Sequence, residues 1–337
     1  MVVTAPRLSL VLSLALGILA CGDPGGVEVQ VPPGFDHDPN AWTLVVLPDT
    51  QYYSEQHPDL FDEQTAFISQ YADTLRIRMV VHVGDLVNFG DNRNQWDNAR
   101  ASLDLLDERI PFMLAPGNHD YDDYDDGRVT LMNEYLPPEW FQAMDTFGGF
   151  FEPGRGENSY HLLRAGGQDW LLLALEFGPR PAVLDWARDV LDAHPDHRAI
   201  VVTHAYLYFG GRYDWAEHGE MQMWNPYVYD RIYGVPGQVS DGAEMWREVV
   251  QPSGNTRLVL CGHVALNAWD RATDKNRGGH DVHQLLANYQ SQQLGGAAEL
   301  RLLHFYPATG RIRVRTYSPH LRRYRLDEAN DFFLRYD

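Results

Sequence analysis

Five apolar runs in this chain each break off into polar residues able to do chemistry. The run over 42–47, Trp-Thr-Leu-Val-Val-Leu, is followed by Pro48 and then Asp49-Thr50-Gln51. The run over 79–83 leads into Gly84-Asp85-Leu86-Val87-Asn88, and 111–115 leads into Pro116-Gly117-Asn118-His119-Asp120. Farther on, 199–203 ends at His204 and 257–261 at Gly262-His263. Continuous apolar runs of this length mark strands buried on both faces. Asp49, Asp85 and Asn118 lie about one strand–helix–strand unit apart, a unit of roughly 30 or more residues. Right-handed crossovers make such strands parallel, so their C-terminal ends share one edge of the sheet. The pattern predicts an α/β fold whose carboxylate, amide and imidazole groups converge at the ligand crevice of that edge.

The intervening segments agree with this. Residues 58–76 carry Leu60, Phe61, Phe67, Ile68, Tyr71 and Leu75 at helical spacing, and 92–108 reads as a second helix. Strands over 160–163 and 170–176 fit a second layer, followed by a helix over 182–193. A helix over 242–250 precedes the run at 257–261. A strand over 282–287 and a hairpin of 299–306 with 311–317 follow. Residues 205–234 form an irregular insertion crowded with aromatics, among them Tyr206, Tyr208, Phe209, Tyr213, Trp215, Trp224, Tyr227, Tyr229 and Tyr233. Its position directly after His204 makes Tyr206, Arg212 and Arg231 candidates for substrate contact. Residues 319–337, with Arg322, Arg323 and Arg325, read as a solvated C-terminal segment.

Charge and cysteine usage narrow the function. A formal net charge of -20 argues against a long nucleic-acid partner, because phosphate backbones require an excess of Lys and Arg. It is compatible with a pocket where carboxylates gather around divalent cations. Only Cys21 and Cys261 occur, so no disulfide framework supports the fold, and Cys261 reads as an inert core thiol. Arg7 followed by the apolar stretch 8–20 has the form of an export signal, residues 1–20. Ile18-Leu19-Ala20-Cys21 resembles a lipoprotein cleavage site, which would place a lipid anchor on Cys21. A plain secretory signal is the alternative. Residues 21–40, rich in Gly, Pro and Asp, read as a flexible tether.

The ordered series of strand ends resembles the calcineurin-like metallophosphoesterase family over roughly 42–318. That family runs Asp-x-His, Gly-Asp, Gly-Asn-His-Asp/Glu, a strand-end His and Gly-His-x-His, and the second and third elements are met here unchanged. The resemblance implies one domain over 41–318, a β-sandwich of mixed sheets flanked by helices (αββα). It implies two divalent ions, with Mn, Fe or Zn suiting these donors. Asp85 matches the bridging ligand, Asn118, His204 and His263 complete one site, and Asp49 with Gln51 serves the other. It further implies attack by a metal-activated hydroxide, with His119 as the general acid and Asn88 orienting its ring.

Two departures fall on the same metal site. Gln51 stands where the family commonly has a histidine, and Ala265 stands where Gly-His-x-His ends. That site should be weaker or draw on another donor, with Asn267, His280, His283 and Gln290 as the downstream candidates. Asn88 also stands where purple acid phosphatases carry a tyrosine ligand. Two functions therefore stay open: an exported phosphoesterase of small mono- or diesters, or a scaffold that binds a phosphorylated ligand without turnover. Elsewhere, His82 reads as a hydrogen-bonded core histidine and the acidic run 122–126 as a solvated loop.

Overall fold

Strand β1 (Trp42–Leu47) spans the predicted run residue for residue and is buried throughout. In the computed structural model the described residues are 29, 31–121, 128–229, 238–265 and 269–336. The signal segment 1–20, Cys21, the start of the tether, the acidic run 122–126, Arg231, Tyr233 and Asn267 lie outside them. Strands β2 (Ile77–His82) and β3 (Phe112–Leu114) follow β1 in parallel. Helices α1 (Gln51–Gln56) and α2 (Pro58–Gln70) connect β1 to β2, and α3 (Arg93–Leu103) connects β2 to β3. Pro58 opens α2 at a position where its missing N–H costs nothing. The Asn92 side chain caps α3 by accepting from the Asn94 and Gln95 amides. Helix α2 stops at Gln70, short of the predicted residue 76, and residues 71–76 run through turns, with Arg76 at φ 49°, into β2.

The second layer begins with the antiparallel strands β4 (Phe147–Phe150), β5 (Ser159–Ala165) and β6 (Gln168–Ala174). Strand β7 (Arg198–Val202) then lies parallel to β6. A two-residue ribbon, β8 (Leu207–Tyr208) with β9 (Gly211–Arg212), opens the aromatic insertion. Strand β10 (Thr256–Cys261) is parallel to β7, and β12 (Asp281–Ala287) is parallel to β10. Strand β11 (Trp269–Lys275) pairs antiparallel at the edge. Strands β13 (Leu300–Tyr306) and β14 (Arg311–Ser318) return to the first sheet beside β1.

The two seven-stranded sheets of the described residues run β15 (Arg323–Tyr324), β14, β13, β1, β2, β3, with β16 (Asp331–Arg335) also on β14, and β11-β12-β10-β7-β6-β5-β4. Alternate side chains make the layers. Trp42, Leu44 and Val46 of β1 pack with Ile200, Val202, Leu258 and Leu260 of the other sheet. Val45 and Leu47 face outward onto α2 and α3, while Val201 and Val259 face the helix Pro181–Ala193. Burial of each such aliphatic side chain contributes roughly 1.5–3 kcal/mol. The architecture is the expected αββα sandwich, with β1, β2, β3, β7, β10 and β12 all ending at one edge.

The two ends of the domain differ from the sequence reading. Within 319–337, β15 (Arg323–Tyr324) and β16 (Asp331–Arg335) both pair with β14, so the segment completes the first sheet. Arg313 clamps Asp331 with two 2.8 Å hydrogen bonds, and Tyr336 is buried against Trp170 and Phe305. Arg325 is engaged with Glu299, while Arg322 and Arg323 are exposed as expected. At the other end, Phe35 of the tether stretch is fully buried against His304 and Tyr306. Asp38 adds to the docking, its carbonyl accepting from Arg76 and its carboxylate from the Ala308 amide. Among the described residues, no helix is long and apolar enough to cross a membrane.

Candidate metal centre

The strand ends meet where the two sheets meet. Asp49, Gln51, Asp85, Asn118, His204 and His263 are all buried, and His119 is half-buried. Ligand atoms of Asp85, His204 and His263 lie within 4.8 Å of one another. His204 Nε2 is 3.2 Å from Asp85 Oδ2 and 3.9 Å from Asp49 Oδ1, which ties the first sheet's acids to the second sheet's histidine.

The backbone is shaped for this approach. Asp85 and His263 both adopt left-handed conformations, at φ 56° and 72°, sparsely populated for residues with a Cβ and concentrated at functional sites. Gly84 sits at φ 105°, and a Cβ there would meet His204 Nδ1 at 2.5 Å and the Gly117 amide at 2.6 Å. The Gly-Asp element thus needs its glycine both for conformation and for space.

Each histidine is oriented by a main-chain carbonyl. His204 Nδ1 bonds the Val83 carbonyl at 2.7 Å, which leaves Nε2 for the site. His263 Nε2 bonds the Trp224 carbonyl at 2.7 Å, which leaves Nδ1. His119 Nδ1 bonds the Asn88 carbonyl at 2.9 Å, and its backbone N–H donates to Asp85 Oδ1 at 3.0 Å. The expected Asn88–His119 link therefore runs through the Asn88 main chain. The Asn88 side chain instead accepts from Gln51 Nε2 at 3.1 Å and donates to Glu55 Oε2 at 3.1 Å. Asp120 stays out of the site. Its Oδ1 accepts from the Leu86 and Val87 amides and its Oδ2 from the Gly117 amide, pinning the Asp85 loop to the Asn118 loop.

His82 bonds Thr50 Oγ1 through Nε2 at 3.0 Å and accepts the Gly84 amide at Nδ1. Burial pushes it down to about 3, so it is a neutral core histidine bracing the same loops. Burial likewise lowers His263 to about 3, helped by the His204 charge. Burial pulls His204 down as well, but the Asp85 and Asp49 carboxylates outweigh it and raise it to about 9. Burial works to raise Asp85, yet His204, His119 and His263 hold it below the usual carboxylate range. Asp49 is pushed up to about 7, chiefly by burial, with His204 opposing and Asp85 adding to the rise. A divalent cation at these acceptors would compete with protons.

The donor set fits such a cation. Asp49 Oδ2, Gln51 Oε1 and Asn118 Oδ1 are buried without a hydrogen-bond partner, and His204 Nε2 faces only the Asp85 and Asp49 carboxylates. Buried polar atoms as a rule have partners, so three orphaned oxygens at one strand edge call for a ligand. Carboxylate and amide oxygens with imidazole nitrogen match borderline to hard divalent metals.

Asn288 escaped the sequence reading. It directly follows β12, a further parallel strand ending at this edge, and donates Nδ2 to Asp49 Oδ1 at 2.9 Å. Tyr206 and Arg212 are placed differently from the ligands. Tyr206 is fully buried with its hydroxyl accepting from Arg212 Nε, and Arg212 also engages Gln284 and Asp274 beneath Trp246. These groups are turned toward one another. Among the described residues, aromatic rings pack on the candidate ligands: Phe177, with ring centroids 5.9 and 5.4 Å from His204 and His263, and Tyr213 and Tyr229, 5.8 and 6.2 Å from His263.

A sequence profile of the calcineurin-like phosphoesterases matches residues 16–267. The chain belongs to the calcineurin-like phosphoesterase family. The chemistry of this family is hydrolysis of phosphoric esters, characteristically with divalent metals. The chain is also 33% identical over 301 residues to the uncharacterized protein YvnB of Bacillus subtilis (strain 168). That match covers 88% of this chain and 21% of YvnB, so the chain spans about a fifth of the relative's length. Among solved structures, the purple acid phosphatase PPD1 from yellow lupin (Lupinus luteus) seeds shares the fold, with a TM-score of 0.51 at 16% identity. That likeness covers 88% of this chain and 54% of the lupin chain.

Proposed function

We propose that this calcineurin-like phosphoesterase hydrolyses small phosphomonoesters or phosphodiesters with two divalent ions, of Mn, Fe or Zn, and His119 as general acid. The observation that carries the reading is the set of orphaned oxygens of Asp49, Gln51 and Asn118, gathered with the Asp85–His204 pair at one strand edge. Bound divalent cations supply Lewis-acid chemistry there, polarising the phosphoryl group and acidifying water. Asn118, His204 and His263 would hold one ion and Asp49 with Gln51 the other, Asp85 lying between.

The chain's own residues handle the proton. His119 is fixed by its amide on Asp85 and by Nδ1 on the Asn88 carbonyl. Its Nε2 is then the atom that presents a proton to the leaving oxygen. The rings of Phe177 and Tyr229 flank His263 and limit water on that side. A net charge of -20 favours small esters over long polyanions. Export, with a lipid anchor on Cys21, is part of this reading and rests on the segment 7–21 alone.

Ala265 favours one competitor, a scaffold that binds a phosphorylated ligand without turnover. Assaying metal-supplemented protein on a panel of mono- and diesters decides between them. Turnover stimulated by Mn2+ and abolished in Asn118→Ala supports the enzyme. A folded, metal-loaded protein inert on every ester refutes it.

A further inference from the structure

One ligand position of the family pattern is occupied by Ala265, whose methyl group donates nothing. Gln290 stands in the loop that closes over that position. The loop leaves β12 at Ala287, and Asn288, fully buried, donates Nδ2 to Asp49 Oδ1 at 2.9 Å. The Gln290 main-chain N–H donates to Asn288 Oδ1 at 2.9 Å, and the next hydroxyl, that of Ser291, donates to the Ala265 carbonyl. The loop is therefore stitched to Asp49 on one side of Gln290 and to Ala265 on the other. Between these anchors, Gln290 Oε1 is buried with no hydrogen-bond partner.

Two more orphaned oxygens belong to the same side of the centre, Asp49 Oδ2 and Gln51 Oε1. The Gln51 amide is held by its nitrogen end through Asn88 and onward to Glu55, so its oxygen is the end left over. Among the described residues, the two downstream histidines are engaged or remote. His283 bonds Thr273 through Nδ1 and the Arg335 carbonyl through Nε2. His280 lies in the turn before β12, at the opposite end of that strand from the site.

We propose that Gln290 Oε1 supplies the ligand that Ala265 cannot, making the second cation site all-oxygen: Asp49, Asp85, Gln51 and Gln290. The inference rests on the two-ion phosphoesterase reading above. It makes the two sites different in kind. The site with His204, His263 and Asn118 suits a borderline cation such as Zn2+, Fe2+ or Mn2+. A site of carboxylate and amide oxygens suits a hard one, Mg2+ or Mn2+. The centre is thus built to take two different metals.

The test counts ions rather than turnover. The full chain is stripped with a chelator and titrated with Mn2+, Mg2+ or Zn2+. Affinities come from calorimetry, bound metal from elemental analysis, and Mn–Mn spin coupling from paramagnetic resonance. Wild type should bind two Mn2+ with coupled spins. With Zn2+ in the histidine site it should still accept one Mg2+. Gln290→Ala should keep one tight ion, lose the coupling and weaken the second ion by about tenfold or more. Adding Ala265→His to Gln290→Ala should restore a second ion and let it be Zn2+. Circular dichroism on both variants confirms that they are folded.

Two ions bound by Gln290→Ala with wild-type affinity overturn the inference while leaving the phosphoesterase reading intact. Loss of both ions from a folded Gln290→Ala also overturns it. Wild type that binds no divalent metal overturns the inference and the phosphoesterase reading together.

Discussion

Replacing Asp120 by Asn tests how the centre is held in shape. Asp120 is fully buried and accepts three main-chain hydrogen bonds, from Leu86 at 2.7 Å, Val87 at 3.1 Å and Gly117 at 2.8 Å. Burial and the Asp85 charge push its pKa up to about 7, against the pull of the amide donors. At pH 8 both oxygens are therefore acceptors. Asn keeps the shape and one acceptor, but it turns an NH2 group toward the Gly117 amide, donor against donor. One hydrogen bond to a charged group is lost, about 1.5–3 kcal/mol, and the bonds that survive lose their charge. The expected loss is about 2–4 kcal/mol. Urea unfolding at pH 8, followed by tryptophan fluorescence, should show the midpoint falling by roughly 1 M for a slope near 3 kcal/mol/M. Affinity for Mn2+ should fall with it, because the Asp85 and Asn118 loops are released from each other. An Asp120→Asn protein with wild-type midpoint and wild-type metal affinity would refute this account of the loops.

Gly84→Ala should destabilise the fold by at least about 2 kcal/mol in thermal unfolding, since its Cβ has no room beside His204 at φ 105°; an unchanged melting temperature contradicts this. Arg212→Ala should lower stability by about 1–2 kcal/mol through lost packing on Trp246 and an unpaired Gln284 Oε1, and leave KM unaltered. A raised KM at unchanged stability would return Arg212 to the substrate. Burial holds His304 neutral, with its pKa down at about 3, Arg315 and Arg313 assisting, and burial lowers His161 to about 4. The unfolded chain protonates both near 6.5, so their contribution is complete above that pH and is lost as pH falls toward 4 and 3. For His304 alone this amounts to roughly 3 kcal/mol by pH 4. Unfolding midpoints measured from pH 8 to 4 should therefore fall less steeply in His304→Gln; parallel profiles would contradict the assignment.

The strands were legible because the sheets bury them on both faces, which leaves continuous apolar runs with sharp polar ends. The convergence of the candidate ligands was legible for the same reason, each standing just past a run. Asn288 follows the same rule after β12, but its role becomes visible only when Asp49 is found beside it. Local sequence carries no record of partners brought from the other sheet. It also could not say which part of Asn88 meets His119, since a main-chain carbonyl leaves no trace in residue type. The crowding of aromatics after His204 suggested substrate contact. Yet Tyr206 and Arg212 satisfy each other in the interior, because a buried hydroxyl and a guanidinium each need partners. Strands β15 and β16 leave little trace in the sequence, because they are two and five residues long and lie among charged and polar residues that look like a solvated linker.

The most direct test of the central claim is hydrolysis of p-nitrophenyl phosphate and bis(p-nitrophenyl) phosphate by metal-stripped protein, before and after adding Mn2+, alongside His119→Asn. The account predicts no turnover without metal and restored turnover with it. It predicts a loss of about 10²- to 10⁴-fold in His119→Asn at unchanged metal content, because His119 gives a proton and binds no ion. Turnover that persists after chelation, or a His119→Asn protein as fast as wild type, would contradict it.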